Sequence, residues 1–333
     1  MNKIILRVSE RKADYLIAVA VVLFGLLFSI VYTTLADTAS TTVTVGNASP
    51  TLTVTLDRTT ITLTENTFVW ASSTVTVTDG NGCSEITSVR AQLAYVNPAT
   101  TPANGAECSY AANTCYLPTT KPAPAVGTCL ATTTGNTCTG GTDTSAQYEC
   151  GFPVWYDATP TDASSPGLTG SYWYVTATTT DGTATVAATN TTQTVDVATL
   201  NSLDVTGPIA YGSVSPSSNT GATNQSVTHT NTGNTAIDNE ISGDVMCTNY
   251  STCTAGKILL PGQQKFGTSN VTYASLTSTL IATTTPATIE LALATSTAPT
   301  TAITTITYCG IAVPAAQASG AYTGQNTLTA VAD

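Results

Sequence analysis

The sequence has one histidine, and only 9% of its 333 residues are charged, against about a quarter in an average soluble protein. Most acid–base and nucleophilic mechanisms need histidine or clustered ionisable groups. The single candidate, His229, lies in an alternating stretch, 226–230, where we expect it to face solvent. A glycosidase needs only two carboxylates, but no pair stands out. The sequence therefore predicts a protein that is not an enzyme, with an exported carbohydrate-active protein as the lowest-ranked alternative.

Basic residues are scarce outside the N-terminus. Beyond residue 36 the chain has five basic and 18 acidic residues, a net charge of −13. Binding to phosphates requires a basic surface, so we expect no nucleic-acid partner. The other basic residues all precede residue 13: Lys3, Arg7, Arg11 and Lys12.

Metal-binding cysteine motifs are also lacking, since no two cysteines have CxxC spacing. The turn cluster 79–82 partly resembles a calcium loop, but Cys83 and Arg90 stand at the fifth and twelfth positions, where that loop needs oxygen ligands. We expect no cofactor and no metal site, with calcium held by loops between the domains as an alternative whose ligands the sequence does not assign.

All nine cysteines follow the N-terminal apolar segment, which indicates an oxidising compartment. Six lie in the first exported half and allow 15 pairings, so spacing alone cannot select one. We favour nested bridges there and one bridge in the second half: Cys108–Cys115, Cys129–Cys138, Cys83–Cys150 and Cys247–Cys253. Cys309 is then unpaired or forms an intermolecular bridge.

Only one long hydrophobic run is present, and no charged residue occurs from 15 to 36. It predicts a transmembrane signal-anchor over 14–36 behind a cytoplasmic basic tail over 1–13. This anchor would make a single-pass membrane protein with its N-terminus inside and its C-terminus at the cell surface. A signal peptide cleaved after Ala36, giving a secreted protein, is the main alternative. A pilin-type leader fits less well, because Ala18 stands where that leader has glutamate.

What the chain has in abundance is threonine, roughly one residue in five, a β-branched type that favours strands. Alternation at period two predicts strands over 42–45, 51–56, 73–78, 86–96, 147–156, 172–180 and 183–197. A second set is predicted over 202–206, 209–214, 226–230, 236–242, 270–276, 288–293, 303–313 and 322–331. We therefore predict an all-β fold of two consecutive Ig-like β-sandwich domains, 37–199 with a disulfide-rich insert at 98–146, and 200–333.

Aromatic residues are the remaining candidates for a binding site. Tyr110 and Tyr116 lie in the insert, where we expect exposure, and they are the predicted contact residues. A second group either stacks on carbohydrate or fills the core, and its position on alternating strands favours the core: Trp70, Trp155, Trp173, Tyr172 and Tyr174.

Several short segments carry a resemblance to a known group: STTVTVGNASPT (40–51), VTVTDGNGCSEI (75–86), YECGFPVWY (148–156), GNTAID (233–238), YCGIAVP (308–314) and SGAYTG (319–324). Together they resemble the Ig-like, threonine-rich cell-surface proteins of small-genome candidate-phyla (Patescibacteria-type) bacteria. The resemblance implies an Ig-like fold and a location in the cell envelope, but no activity. The chain departs from it at Cys309, where tryptophan is expected.

These observations predict a membrane-anchored extracellular structural or adhesion protein of the cell envelope. Its expected partners are the membrane, other cell surfaces and glycans. The alternative is an S-layer or pilus-type subunit that binds copies of itself through edge strands.

Overall fold

The computed structural model describes residues 2–31, 40–96, 108, 113–119, 129–131, 138, 142–161, 170–254, 258–279 and 285–333. Strands account for 44% of the structure and helix for 10%, so the chain is mostly β-sheet, as predicted. It divides into two compact units, Met1–Gly46 and Asn47–Asp333.

The first unit contains one helix, α1, over Asn2–Val31. No helix among the described residues is both long and apolar enough to cross a membrane, so the predicted transmembrane anchor and single-pass location are wrong. The helix begins inside the predicted basic tail and includes its charged residues.

Residues 47–199, hereafter the first region, form two sheets. Their strands are β1 Thr51–Leu56, β2 Thr60–Ile61, β3 Phe68–Thr78, β4 Ser88–Val96, β5 Cys115–Tyr116, β6 Leu130–Ala131, β7 Ser145–Trp155, β8 Tyr172–Thr180 and β9 Thr185–Val197. One sheet has the order β1-β3-β7-β6 and the other β2-β9-β8-β4-β5. β2 pairs with β9 in parallel, and the other pairs are antiparallel.

The two sheets of the first region share one core because alternate residues of their strands point to the same side. Val75 and Val77 of β3 are fully buried, and Trp173 and Val175 of β8 join the same cluster from the other sheet. Trp173 also donates from Nε1 to the carbonyl of Thr159 at 2.9 Å, which satisfies its one polar atom. Burial of each such side chain stabilises the folded state by about 1.5–3 kcal/mol, because its apolar surface is removed from water.

Four disulfides are present, and three of them lie in the first region: Cys83–Cys138, Cys108–Cys115 and Cys129–Cys150. The fourth, Cys247–Cys253, lies in the second half of the chain. The predicted bridges Cys83–Cys150 and Cys129–Cys138 are therefore wrong. Cys150 lies on the core face of β7, and Cys129, whose amide donates to Val89, lies next to it rather than next to Cys138.

The described parts of the predicted insert are attached to the sheets. β5 extends one sheet by pairing with β4, and β6 extends the other by pairing with β7. The amide of Thr119 donates to the carbonyl of Gly151 at 3.0 Å. These parts of the insert therefore lie on the sheets rather than forming a separate protrusion.

Residues 200–333, hereafter the second region, contain β10 Leu203–Thr206, β11 Gln225–Asn231, β12 Ile237–Gly243, β13 Met246–Cys247, β14 Ile258–Leu259, β15 Gln264–Gly267, β16 Ser278–Thr279, β17 Ala287–Leu293, β18 Ile303–Ile311 and β19 Asn326–Ala332. The sheet orders are β10-β11-β18-β15-β16, β17-β12-β19 and β13-β14. Its main core cluster is smaller than that of the first region: Val227, Ile241, Phe266, Ile289 and Cys309.

Three predicted strands are absent from the structure. Residues 42–45 and 209–214 belong to no strand, and Tyr273–Ser275 forms a short 3₁₀ helix within 270–276. Alternation describes a strand with one buried face, but a strand also needs a neighbour that accepts and donates its backbone hydrogen bonds. These segments have the alternating sequence of a strand, but no neighbouring strand among the described residues pairs with them.

The two regions contact each other through buried polar groups. The Asn234 amide nitrogen donates to the carbonyls of Ala158 and Ala198 at 2.9 and 3.0 Å, and its oxygen accepts from the amide of Leu200 at 2.7 Å. The Ser202 hydroxyl donates to the Glu65 carboxylate. The Asn234 side chain thus makes two hydrogen bonds to carbonyls of the first region and a third to the amide of Leu200, at the start of the second.

Candidate binding surfaces

Three aromatic side chains, Phe68, Trp70 and Trp155, cluster on one face of β3 and β7, and Trp155 also packs against the core of the first region. Phe68 lies directly opposite Trp155 in the register of the two strands. The Phe68 ring centroid is 5.3 Å from that of Trp70, edge to face, and 5.1 Å from that of Trp155, tilted by 58°. All three side chains are half-buried. We call Phe68, Trp70 and Trp155 the aromatic cluster.

Gly151 allows the Trp70 ring to lie close to the sheet. A Cβ atom at Gly151 would be 3.4 Å from two atoms of the indole, tighter than most Cβ contacts. The ring therefore rests over the β7 backbone, with the segment of Thr119 along the same strand. Support from a sheet on one side keeps the indole orientation fixed, which favours stacking against a flat ligand.

The other aromatic candidates lie elsewhere. Trp173 belongs to the core, and Tyr174 is buried in a small cluster beside Tyr172 on the other sheet. The residues named as one carbohydrate platform are thus divided among three places. Tyr110 lies outside the described residues. Tyr116 is fully buried and stacks on Trp173 at 5.6 Å, which contradicts its predicted role as an exposed contact residue.

A buried carboxyl lies near Tyr116. Neither carboxylate oxygen of Asp157 has a hydrogen-bond partner among the described residues. Burial raises the pKa of Asp157 to about 6. Burial, with the charge of Asp157 as the second cause, raises the pKa of Tyr116 well above its ordinary value. This pair is enclosed by the core, so it affects stability rather than an exposed reaction.

His229 lies in the core of the second region, not facing solvent as predicted. The Asn239 amide donates to its Nδ1 at 2.6 Å, and its Nε2 donates to the Thr307 hydroxyl at 2.7 Å. Burial lowers the pKa of His229 to about 4, so the ring is neutral at pH 7. These hydrogen bonds run opposite to those of a catalytic triad, in which the histidine accepts from the hydroxyl, and all three side chains are fully buried.

Cys309 is an unpaired thiol with no exposed surface. Burial raises its pKa to about 12, so the thiol stays protonated and unreactive at neutral pH. It lies opposite Phe266 on the neighbouring strand, inside the core. An intermolecular bridge at Cys309, the second predicted option, would require this core to open.

Metal ligands are not grouped anywhere in the described ranges, where no three His, Cys, Asp or Glu side chains come close enough to hold an ion. In the turn at 79–82, Asp79 Oδ1 accepts from the Asn81 amide at 2.9 Å, and Asn81 Oδ1 accepts from the amide of Ala48 at 2.5 Å. The turn therefore uses these oxygens for backbone contacts.

Two adjoining grooves of about 610 and 650 Å³ open in the second region. Ile209, Tyr211, Met246 and Tyr322 line both, and neither lining contains a charged residue. We call them together the paired groove. Gln264 lies at its base, where its Oε1 accepts from the Tyr211 hydroxyl at 2.9 Å and from the Asn326 amide at 3.0 Å.

The chain matches no protein-family model and no curated protein.

Neither surface was identified from the sequence as such. Trp70 and Trp155 were candidates, but Phe68 was not, because its position opposite Trp155 depends on strand register. Residues 209–214 line the paired groove, but their alternating pattern predicts an ordinary strand and does not indicate a groove.

Proposed function

We propose that this chain is an exported structural and adhesion protein without enzymatic activity. In this proposal, each region is an Ig-like β-sandwich, and the first region binds glycans of another surface through the aromatic cluster. The observation that carries the proposal is the cluster of the half-buried side chains Phe68, Trp70 and Trp155 on one face of β3 and β7. Aromatic faces of this kind pack against the apolar faces of sugar rings.

Other features support the same role. Four disulfides suit an oxidising environment outside the cytoplasm, and a structural protein benefits from their constraint on the unfolded chain. Asn234 holds the two regions together, which favours transmission of force between them. Burial of His229, the one histidine in the sequence, supports a non-enzymatic role.

The test is glycan-array and cell-binding measurements on beads coated with the full chain. We expect Trp70→Ala and Trp155→Ala to reduce binding about tenfold each, because stacking on one ring contributes on the order of 1–1.5 kcal/mol. Tyr172→Ala is the matched control, since Tyr172 is a half-buried aromatic residue on the other sheet, and it should leave binding unchanged. Equal binding by all three variants would reject the aromatic cluster as the contact surface.

A self-assembling subunit is the second candidate. It is favoured by one observation, the unpaired segment 209–214 at the paired groove.

A further inference from the structure

The segment 209–214, Ile-Ala-Tyr-Gly-Ser-Val, has the sequence of a strand but no strand beside it. Within the described residues its backbone amides and carbonyls make no hydrogen bond. Ile209 and Tyr211 nevertheless pack against the core cluster of the second region. The segment lies between the two halves of the paired groove, so both of its sides are accessible to another extended chain.

The edges next to this segment are also open. Within the described residues β10 pairs only with β11, and β19 pairs only with β12. Val205 of β10 and Leu328 of β19 line the same half of the groove, which therefore follows the seam between the two sheets. Unpaired edges beside an apolar seam favour addition of a further strand.

A second unpaired strand-like segment lies near the N-terminus, at 40–45, Ser-Thr-Thr-Val-Thr-Val. It belongs to no strand, and the side chains of Val43 and Val45 are 87% and 77% exposed. Large apolar residues exposed at alternate positions are unusual on a stable surface unless they contact a partner.

We infer that residues 40–45 of one copy add as a strand beside residues 209–214 of a second copy, with Val43 and Val45 in the paired groove. Neither the segment nor the groove lining contains a charged residue, so no charge is buried by their contact. Six extended residues span roughly 20 Å, long enough to run along residues 209–211 of the acceptor and past Gly212, whose φ of 71° interrupts the extended backbone. The inference rests on the proposed structural role and names a partner for it.

The donor and the acceptor are different parts of the chain, so the contact is heterologous. Each copy can donate its own segment 40–45 and accept that of another copy. Such contacts produce rings if the rotation closes and filaments if it does not.

Photo-cross-linking of the full chain tests which residues meet. A photoreactive benzoylphenylalanine replaces Val43, and a mixture of unlabelled and ¹⁵N-labelled protein is irradiated and analysed by mass spectrometry. We expect mixed-isotope cross-links from position 43 to 209–214 or to the groove residues 317–322. Cross-links confined to single-isotope pairs would show that the segment folds back on its own chain, and cross-links only to other surfaces would also overturn the inference.

Charge substitutions test the contact energetically. Val43→Asp with Val45→Asp should lower the oligomeric fraction in analytical ultracentrifugation by at least about tenfold, because two carboxylates would enter an uncharged groove. Thr42→Asp with Thr44→Asp is the matched control, because it adds the same charge on the opposite face of the strand and leaves α1 unchanged. We expect a change of less than about twofold for this control. Equal losses in both variants would overturn the inference.

A synthetic peptide of residues 40–47 provides an independent measurement. Its binding to the full chain, followed by fluorescence anisotropy, should be saturable and should be abolished in a peptide containing Val43→Asp and Val45→Asp. A chain that stays monomeric and ignores the peptide, yet still binds glycans through Trp70 and Trp155, would reject this inference and leave the proposed adhesive function intact. Assembly without glycan binding would support this inference and reject the proposed adhesive function.

Discussion

At the scale of single residues, Asp157 and His229 give the protein two opposite responses to pH. Burial disfavours the charged form of each, so it raises the pKa of Asp157 to about 6 and lowers that of His229 to about 4. A rise in pH therefore costs stability at Asp157, while a fall in pH costs stability at His229. Their effects overlap between about pH 4 and pH 6 and partly cancel in the native protein.

Substitution of Asp157 by Asn should remove the loss of stability that Asp157 causes as pH rises. Between the unfolded value near 3.8 and about 6, the folded state keeps a proton that the unfolded chain has lost, so stability falls as pH rises through this interval. Relative to the native protein, Asp157→Asn should gain about 2 kcal/mol in unfolding free energy between pH 3.5 and pH 8. Urea titrations at the two pH values measure the gain, and parallel behaviour of the two proteins would contradict it.

Substitution of His229 by Gln should remove the loss of stability that His229 causes as pH falls. The unfolded histidine takes up a proton near pH 6.5, whereas the folded one resists protonation until about pH 4, so His229 contributes a loss of stability as pH falls from 7 to 4. His229→Gln should remove about 2–3 kcal/mol of this pH-dependent loss, even though it lowers stability at pH 7 by disturbing Asn239 and Thr307. An unchanged loss between pH 7 and 4 in the variant would show that His229 is not its source.

At the scale of elements, the disulfides close loops of very different lengths. Cys83 and Cys138 are separated by 55 residues, and Cys247 and Cys253 by 6. In the chain-entropy model, a longer closed loop removes more freedom from the unfolded chain. The longest bridge in the structure is Cys83–Cys138, in place of the predicted Cys83–Cys150.

We therefore expect the double substitution Cys83→Ala and Cys138→Ala to cost about 4 kcal/mol of unfolding free energy. The matched double substitution Cys247→Ala and Cys253→Ala should cost about 2 kcal/mol, because its loop is much shorter. Urea denaturation without reductant compares the two variants. Equal costs, or a larger cost for the short loop, would indicate that strain in the folded state outweighs loop entropy.

Alternation along the chain predicted many elements correctly, and its failures share one cause. The pattern correctly located strands such as β1 and β8, because each has buried residues at every second position and a neighbouring strand. Residues 42–45 and 209–214 have the same pattern but no neighbour. Since pairing depends on distant segments, local periodicity cannot distinguish a paired strand from an unpaired one.

At the scale of the whole molecule, Asn234 is the main polar contact that we can identify between the first and second regions. Its substitution by Ala would leave the carbonyls of Ala158 and Ala198 and the amide of Leu200 without their partner. We expect a loss of about 2–4 kcal/mol in unfolding free energy, together with a separate unfolding transition for one region. Differential scanning calorimetry measures both.

The control for this prediction is Asn219→Ala. Asn219 is exposed, and its side chain accepts one local hydrogen bond from the amide of Gly221 at 2.8 Å. Its substitution should cost less than about 1 kcal/mol and preserve a single transition. Similar calorimetric traces for the two variants would argue against a special role of Asn234 at the connection.

The sequence alone determined that the protein is mostly β-sheet, because threonine and valine at alternate positions favour pleated, half-buried strands, and that its cysteines suit an oxidising compartment. Tertiary structure decided the disulfide partners, the burial of Tyr116 and His229, the meeting of Phe68 with Trp155, and the open seam beside 209–214. Composition and periodicity are local properties of the chain. Which cysteines meet, which faces are covered and which edges stay open depend on the three-dimensional arrangement of segments far apart in sequence.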